Sequence, residues 1–535
     1  MVRYLPDTNI VIDVLKRRQL TGLTLIIVLF LSKVPMKPMI LPTLATSVLI
    51  SWSFGSWAAD PIPCEALAQH MPSDGVTITS AKPMALATGT QVCRVEGILS
   101  PEPTSSIRFA TNIPQANWNG RFVMLGNGGY AGGALAAAGP FLADGYATAV
   151  TDTGHTAAND GTVFYTNRVT EIDYGYRAVH LASLVSKSII AANQGKAPSY
   201  NYFNGCSTGG RQALVSAQRY PDDFDGIIAG SPAHQLTGLA VEQNWSLRQF
   251  HDNNFAGNIH GKVNLLSNAV KAACADPEGI IPANGSCKFD PASLVCPAGT
   301  DAASCLTPAQ VKAVKAVYAG PTSSTGANWY PGKPLGSEAS WALWLVNDAT
   351  DPAKWKPAQG GFAFSFVNNL FFENDPPSTY KWSDFNFETD PTRGDFMARI
   401  LNATDPDLSA FQMRRGKLLA YHGTGDGLIG YQPTVNYMAS VRDRLGAANV
   451  DKFARLFLVN GIDHCDFVDR GGLSVSDWMS PLVNWVEKGV APDAIMASSR
   501  STNPVKFTRP ICAWPKTASY KGSGARTEAA NWSCQ

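Results

Sequence analysis

The stretch that most constrains this chain is Asn204–Gly210, which reads Asn-Gly-Cys-Ser-Thr-Gly-Gly. It follows the apolar run Tyr200–Phe203 and precedes Arg211–Arg219, a run with helical character. Small residues on both sides of Ser207 allow a sharp bend between a strand and a helix that holds the serine hydroxyl clear of both. The G-x-S-x-G pattern therefore predicts a nucleophile elbow with Ser207 at its apex, although a plain glycine-rich turn fits the same letters.

A serine nucleophile needs an acid and a histidine base, which follow it in that order along the chain of an α/β-hydrolase. The apolar run Lys417–Tyr421 ends in a glycine-rich stretch that contains Asp426. The next apolar run, Arg455–Val459, ends in a loop that contains His464. Both runs are typical of strands that enter loops, so the order predicts Asp426 as the acid and His464 as the base.

Three further aspartates, Asp463, Asp466 and Asp469, lie close to His464 in the sequence and compete for the role of orienting acid. Asp463 is adjacent to the histidine, and its side chain is expected to point away from the imidazole. Asp426 ends a separate strand and can approach the ring from the side. We therefore predict that Asp426 orients His464.

Cys206 immediately precedes the candidate serine, and Cys465 immediately follows the candidate histidine. If the two are bonded, the disulfide joins nucleophile and base across 259 positions. Closing so long a loop stabilises a fold by at most about 5 kcal/mol in the chain-entropy model. The bond would hold the catalytic groups together.

These residues resemble the paired-cysteine triad of the tannase and feruloyl esterase family, which also contains a bacterial mono(2-hydroxyethyl) terephthalate hydrolase. The resemblance extends from about Cys64 to the C-terminus and runs through Trp118–Phe122, Gly126–Tyr130, Thr151–His155, Asp173–His180, Tyr202–Arg219 and Phe224–Ala233. It implies an α/β-hydrolase core and a serine esterase that acts on esters of aromatic acids. Feruloyl or galloyl esters are expected, with terephthalate-type monoesters as the alternative.

A glycine loop, Gly126-Asn127-Gly128-Gly129, follows the strand-like run Arg121–Leu125. A hydrolase of this class finds one oxyanion donor in such a loop, because glycine lets a backbone N–H approach the developing charge. We predict that the Gly128 amide, or that of Gly129, acts together with the Thr208 amide. A plain turn is the alternative.

The chain has 535 residues, of which 45% are hydrophobic and 16% charged, and this is enough for a large core and a second domain. The net charge of +1, with no basic run beyond Lys16–Arg18, gives no reason to expect nucleic-acid binding. Ten cysteines indicate an oxidising compartment. With the two near the triad set aside, four local pairs remain, an assignment that rests partly on the family pattern: Cys64 with Cys93, Cys274 with Cys287, Cys296 with Cys305, and Cys512 with Cys534.

The N-terminal residues predict export. Residues 36–58 contain the apolar stretch Ile40–Phe54 and end in Ser-Trp-Ala, which is typical of a signal peptide cleaved after Ala58. Residues 1–35 open like a PIN-domain ribonuclease but lack the rest of that domain, so we interpret them as a remnant or a misplaced start before Met36. Two membrane segments, Leu20–Leu31 and Ile40–Phe54, are the alternative, although both are shorter than the ~20 residues of a spanning helix.

The core is predicted in two parts, residues 59–233 and 417–535, because the alternation of strands and helices stops between them. We predict that residues 234–416, called here the predicted lid, lie over the active site. Most of their aromatic residues should form the lid's own core and a minority should line a slot for a phenyl ring: Trp329, Tyr330, Trp341, Trp344, Trp355, Phe362, Phe364, Phe366, Phe371, Phe372, Tyr380, Trp382, Phe385 and Phe387.

Family members commonly carry an Asp-rich calcium loop between the first two lid cysteines. Here the segment Cys274–Cys287 is short and keeps only Asp276 and Glu278 as candidate calcium ligands. We therefore expect that the protein requires no cofactor. The segment gives little support for a structural calcium ion.

Two rival functions come from other classes. A catalytically silent binding protein of the same fold is one, because fold does not fix function. A ribonuclease, suggested by residues 1–35, is the other. The complete triad with its flanking cysteines favours the exported esterase over both, with a small aromatic ester as its partner and no stable membrane insertion after signal cleavage.

Overall fold

A computed structural model describes residues 60–70, 72–130, 132, 135–136, 138–156, 161–253, 260–282, 285–346, 356–466, 472–499 and 505–535. The predicted leader and signal peptide, residues 1–58, lie outside these residues, as do Trp355 and Asp469. Among the described residues, no helix has the length and apolar character needed to cross a membrane.

The strands of the described residues fall into three sheets. Their bounds are β1 (Val76–Ala85), β2 (Gln91–Leu99), β3 (Ile107–Pro114), β4 (Arg121–Leu125), β5 (Ala147–Thr151), β6 (Tyr200–Cys206), β7 (Gly226–Gly230), β8 (Lys417–Gly423), β9 (Ala454–Val459), β10 (Leu473–Ser474), β11 (Ala494–Ser499), β12 (Thr508–Cys512), β13 (Ala518–Tyr520) and β14 (Trp532–Cys534). Within the described residues, nine of them form one sheet in the order β1-β2-β3-β5-β4-β6-β7-β8-β9. The strands from β1 to β3 and the β3–β5 pair are antiparallel, whereas β5, β4, β6, β7, β8 and β9 run parallel. Two small antiparallel sheets, β10–β12 and β13–β14, contain the C-terminal strands.

The α-helices are α1 (Gly139–Ala143), α2 (Arg168–Ile172), α3 (Ala178–Gln194), α4 (Thr208–Arg219), α5 (Leu236–Asp252), α6 (His260–Cys274), α7 (Pro308–Ala319), α8 (Glu338–Trp344), α9 (Ala358–Asn369), α10 (Asp395–Leu401), α11 (Ser409–Met413), α12 (Gln432–Leu445), α13 (Ala447–Val450) and α14 (Met479–Lys488). A π-helical turn, Asp173–Arg177, joins α2 to α3. Regular α-helix therefore begins at Ala178, after this turn.

Alternate side chains of the central strands pack on opposite faces of the sheet, as the two-residue period of a strand requires. Phe203, Ile227 and Leu418 belong to an apolar cluster that also contains residues of α3, α4 and α12. The residues next to them, Tyr202, Ile228 and Leu419, belong to a second cluster with residues of α14, β11 and β12. The near-continuous apolar runs of these strands are thus explained by burial on both faces.

The carboxyl ends of the parallel strands place their following loops at one edge of the sheet, where α/β proteins bind ligands. The loops after β4, β6, β8 and β9 contain the predicted glycine loop, Ser207, Asp426 and His464. The predicted lid is inserted between β7 and β8, and its helices build two further apolar clusters. One of these includes Tyr130 and Tyr174 from the core, so the predicted lid packs directly against the loop edge.

Candidate active site

Ser207 occupies a strained turn between β6 and α4. Its backbone angles are φ 65° and ψ −123°, a region that residues other than glycine rarely adopt. Its N–H donates to the Gly230 carbonyl (2.9 Å), and its carbonyl accepts from the amides of Arg211 (3.0 Å) and Ala233 (3.1 Å). These bonds to β7, to α4 and to the last core residue before the predicted lid hold the turn in place.

The glycines of the motif are required by close packing. A Cβ added at Gly205 would lie 2.6 Å from the backbone carbonyl of Gly209, on the first turn of α4. A Cβ added at Gly209 would lie 3.0 Å from the Asn127 carbonyl oxygen. Strand, helix and glycine loop therefore approach each other at a distance that side chains would prevent, which is the physical reason for G-x-S-x-G here.

Asp426 and His464 form a buried pair. The imidazole Nδ1 lies 2.7 Å from Asp426 Oδ2, and the two side chains are 2% and 0% exposed, respectively. Burial acts to raise the pKa of Asp426, but the positive charge that His464 carries when protonated and the hydrogen bonds from His422 and His464 outweigh it, so the pKa lies well below its ordinary value. An ionised carboxylate on Nδ1–H leaves the lone pair of the neutral ring on Nε2, as a general base requires.

Asp426 is held by more partners than the sequence indicated. Its Oδ1 accepts from the backbone amides of Leu428 (3.0 Å) and Ile429 (2.8 Å). A second buried histidine, His422, places Nε2 3.4 Å from Asp426 Oδ2 and 2.9 Å from the Ile429 carbonyl oxygen. His422 is the next-to-last residue of β8, four positions before Asp426, and nothing in the sequence pattern distinguished it from a structural residue.

The disulfide Cys206–Cys465 joins the turn that contains Ser207 to the loop that contains His464, and its two Cα atoms are 6.0 Å apart. The remaining bonds join Cys64 to Cys93, Cys274 to Cys287, Cys296 to Cys305 and Cys512 to Cys534, which are the predicted pairs. Five disulfides are typical of a protein from an oxidising compartment.

A residue of the predicted lid connects the two loops. The Ser340 hydroxyl, on α8, donates to Asp463 Oδ1 (2.8 Å) and accepts from the Gly427 amide (3.0 Å). Asp463 Oδ1 also accepts the backbone N–H of His464 (2.7 Å). The Asp463 carboxylate thus binds the backbone of His464, whereas the Asp426 carboxylate binds its imidazole ring. Sequence reasoning missed Ser340, because a serine within a helical run carries no signal of a contact so distant along the chain.

The glycine loop is fixed by side chains of α4 and the π-helical turn. Asn127 N–H donates to Gln212 Oε1 (2.9 Å), and its own amide donates to the Thr151 carbonyl (2.8 Å). The Tyr174 hydroxyl donates to the Gly129 carbonyl (2.9 Å). Of the two glycines predicted to supply an oxyanion donor, Gly129 lines the cavity beside Ser207 and Thr208, whereas Gly128 is not among the described lining residues.

Tyr174 is itself positioned by a buried cation. The Arg211 guanidinium, fully buried, donates to the carbonyls of Tyr174 (2.9 Å), Gly175 (2.7 Å) and Leu401 (3.0 Å). It also lies 4.8 Å from the centre of the Tyr174 ring. The π-helical turn is thus tied to α4 and to the end of α10 beside the glycine loop.

A pocket that is partly open to solvent lies at Ser207. Its wall is formed by Tyr130 and Tyr174 of the core, by Phe362 and Phe366 of α9, and by one face of α5. Leu428 and Ile429, whose amides bind Asp426, also line it. An apolar, aromatic cavity that contains a serine hydroxyl suits a small aromatic ligand.

The two carboxylates that were candidate calcium ligands are occupied by arginines. Asp276 Oδ2 accepts from Arg509 (2.8 Å), and Glu278 accepts from both Arg509 (2.9 Å) and Arg526 (3.0 Å). Within the part of the chain that the structure describes, no three His, Cys, Asp or Glu side chains are placed to hold a metal ion. Asp276 and Glu278 therefore do not fit a calcium site.

Comparison with known proteins identifies the family. The family profile described as tannase and feruloyl esterase matches residues 93–535. The chain belongs to the tannase and feruloyl esterase family. The resemblance inferred from the motifs is thereby confirmed, and this member of the family is a carboxylic ester hydrolase.

The esterase is 33% identical over 498 residues to a mono(2-hydroxyethyl) terephthalate hydrolase of Piscinibacter sakaiensis, covering 80% of this chain and 81% of that protein. It is 32% identical over 441 residues to a probable feruloyl esterase of Arthroderma benhamiae, covering 78% and 80%, respectively. The crystal structure of feruloyl esterase B from Aspergillus oryzae superposes with a TM-score of 0.78 at 26% identity, covering 88% of this chain and 99% of that one. The mixed α/β architecture with its large central sheet is consistent with an α/β-hydrolase.

Proposed function

We propose that this esterase hydrolyses esters of aromatic acids, with feruloyl and galloyl esters as the expected substrates, through an acyl-enzyme formed on Ser207. The observation that carries the proposal is the aromatic cavity that contains Ser207. A disulfide joins the turn of Ser207 to the loop of His464, and His464 forms a buried pair with Asp426. The family supports the same substrate class. Terephthalate-type monoesters are the second candidate, because of the 33% identity with a hydrolase of such an ester.

In the proposed mechanism, Ser207 Oγ attacks the ester carbonyl carbon while His464 Nε2 takes the hydroxyl proton. Asp426 holds Nδ1–H and stabilises the imidazolium that forms. The backbone amides of Thr208 and of the glycine loop, Gly128 or Gly129, hold the oxyanion. The alcohol leaves with the proton from His464, and water then attacks the acyl-enzyme by the same route to release the acid.

We further propose that the protein is exported, with residues 36–58 as its signal peptide and the predicted lid as the cover of the active site. Five disulfides support the first of these. The second is supported by α5 and α9, which contribute residues to the cavity wall.

A hydrolysis panel on the purified chain from Ala59 onward tests the function. The substrates are methyl ferulate, methyl gallate, mono(2-hydroxyethyl) terephthalate and p-nitrophenyl acetate. We expect turnover of at least one aromatic ester and a rapid first-turnover burst with p-nitrophenyl acetate, which marks an acyl-enzyme. Turnover of p-nitrophenyl acetate alone would refute the aromatic-acid assignment, and no turnover of any ester would favour a silent binding protein.

Loss of the disulfide near the triad should affect both stability and rate. A Cys206→Ala/Cys465→Ala variant is expected to lose about 2–4 kcal/mol of unfolding free energy. Its kcat should also fall, because the serine turn and the histidine loop are no longer tied. The matched control is Cys512→Ala/Cys534→Ala, which opens a bond outside the described cavity wall. Urea unfolding and kcat are measured for both, and equal kcat values would show that the Cys206–Cys465 bond is only structural.

Removing the Ser340 hydroxyl should lower kcat without a comparable change in KM. Ser340→Ala breaks the bonds to Asp463 and Gly427, and small displacements of catalytic groups reduce rates by about tenfold to a hundredfold. Ser340 is outside the described cavity wall, so substrate binding should persist.

Ser337→Ala is the matched control for Ser340. Ser337 is equally buried and bonds to Trp341 and to the Pro334 carbonyl, both of which lie outside the two catalytic loops. Ser340→Thr should restore much of the rate, since it retains the hydroxyl. Equal kcat losses in Ser340→Ala and Ser337→Ala would reduce Ser340 to a packing residue.

A further inference from the structure

The polar groups of the cavity at Ser207 are unevenly distributed. Among the described residues that line it, none carries a charged side chain. The hydroxyls of Tyr130 and Tyr174 already donate to the carbonyls of Phe362 and Gly129, both at 2.9 Å. Ser207 and Thr208 are polar as well, and they lie where the ester would react. The remaining polar side chain among the described lining residues is that of Gln243.

Gln243 lies on the face of α5 that forms one wall of the cavity. Leu236, Leu239, Ala240 and Gln243 follow at spacings of three and four residues, so they share one helical face. Gln243 is two turns beyond Leu236, about 10 Å along the helix axis. Ala233, just before this helix, bonds to the Ser207 carbonyl. An acyl group bound at Ser207 and extended along α5 therefore directs its far end toward Gln243.

The carboxamide of Gln243 retains hydrogen-bonding capacity for a ligand. Its Nε2 is 3.5 Å from the Leu428 carbonyl oxygen, at the outer limit of a hydrogen bond. The side chain is nevertheless almost fully buried, at 5% exposure of the residue. A buried amide with one long contact gains a partner when a substrate hydroxyl reaches it.

The backbone of Gln243 is linked through Gln359 to a buried ion pair. Gln359 Nε2 donates to the Gln243 carbonyl (3.0 Å), and Gln359 Oε1 accepts from Lys333 (3.1 Å). Lys333 in turn pairs with Glu242 (3.2 Å), the residue preceding Gln243. The backbone at Gln243 is thus anchored before a substrate enters, which limits the positions that its carboxamide can take and favours specific recognition.

We propose that Gln243 is a specificity-determining residue that hydrogen-bonds one polar substituent at the far end of an uncharged aromatic acyl group. The inference rests on the function proposed above and narrows it. A ring with three hydroxyls leaves at least one of them without a partner in this wall, and a ring carboxylate enters a cavity whose described lining offers no cation. The unpaired hydroxyl and the ring carboxylate would lose their bound water without gaining a hydrogen bond or a counter-ion. The cavity therefore selects against trihydroxylated rings and against ring carboxylates.

The test compares esters of one alcohol on the chain from Ala59 onward: methyl cinnamate, methyl 4-hydroxycinnamate, methyl gallate and monomethyl terephthalate. In the wild type, kcat/KM for the 4-hydroxy ester should exceed that for the last two by about tenfold or more. In Gln243→Leu, kcat/KM for the 4-hydroxy ester should fall about tenfold, while that for methyl cinnamate stays unchanged. Gln249→Leu, on the same helix but outside the described cavity wall, should alter neither.

Folding of each variant is checked by its thermal midpoint and by turnover of p-nitrophenyl acetate, whose acyl group is too short to reach Gln243. Gln243→Met, which keeps the length of the side chain without the amide, replaces the leucine variant if that one does not fold. An unchanged ratio between the 4-hydroxy ester and methyl cinnamate, or a wild-type preference for gallate or terephthalate, overturns the inference while leaving the proposed function intact. A wild type that hydrolyses p-nitrophenyl acetate but no aromatic ester overturns both.

Discussion

Replacing Ser207 with alanine is expected to lower kcat by on the order of 10⁶-fold, because the covalent route is lost. The residual rate should come from the oxyanion donors and from substrate binding, which the substitution leaves in place. KM should change little, since the aromatic wall of the cavity is untouched. The measurement is the initial rate on whichever aromatic ester the wild type hydrolyses, together with loss of the first-turnover burst on p-nitrophenyl acetate.

Ser440→Ala provides the control for Ser207→Ala. Ser440 is an exposed serine on α12 whose hydroxyl bonds only locally in the structure, to the Asn436 carbonyl. Its removal should leave kcat and KM unchanged. A Ser207→Ala preparation that retains more than about 1% of the wild-type kcat, with contamination excluded by active-site titration, would refute Ser207 as the nucleophile.

The elbow was predictable because its determinants are local. Two glycines, a serine and an apolar run within ten residues are enough to indicate strand, turn and helix, and β6 and α4 form on either side of Ser207. The strand Arg121–Leu125 has the predicted bounds for a similar reason, since a short apolar run ends at glycines. Asp426 and His464 were predicted from chain order and from the apolar run that ends just before each of them, and β8 and β9 form at those runs.

The groups that support the site were not predictable, because their partners are distant along the chain. Ser340 and Asp463 are separated by 123 positions, and Arg211 and Leu401 by 190. The π-helical turn at Asp173–Arg177 is another example: its carbonyls at Tyr174 and Gly175 accept from Arg211, and the local sequence carries no sign of that bond. Likewise, Asp276 and Glu278 were weak calcium candidates as the carboxylates left between Cys274 and Cys287, and their arginine partners, Arg509 and Arg526, could not be predicted because they lie more than 230 positions away.

Asp426→Asn is expected to lower kcat by about 10⁴-fold, the effect of losing the orienting carboxylate in a serine triad. All the described partners of the Asp426 carboxylate are donors: two backbone amides, the Nδ1–H of His464 and the Nε2–H of His422. The NH₂ group of asparagine must therefore face a donor, or His464 must take the other tautomer, in which Nε2 carries the proton. Either outcome removes the base. Asp443→Asn, an exposed substitution on α12, is the control and should leave kcat unchanged.

The same variant should also differ from the wild type in the pH dependence of stability. Because the folded-state pKa of Asp426 lies below its ordinary value, the folded protein binds fewer protons than the unfolded chain in the interval between the two values. The carboxylate's contribution to unfolding free energy is therefore complete above about pH 4 and is lost as the pH falls further. Asp426→Asn lacks this contribution at every pH, so the stability difference between the two proteins should shrink below about pH 4. Urea unfolding at pH 6 and at pH 3 measures it, and a difference that stays constant or grows toward pH 3 would contradict an ionised Asp426 held by His464.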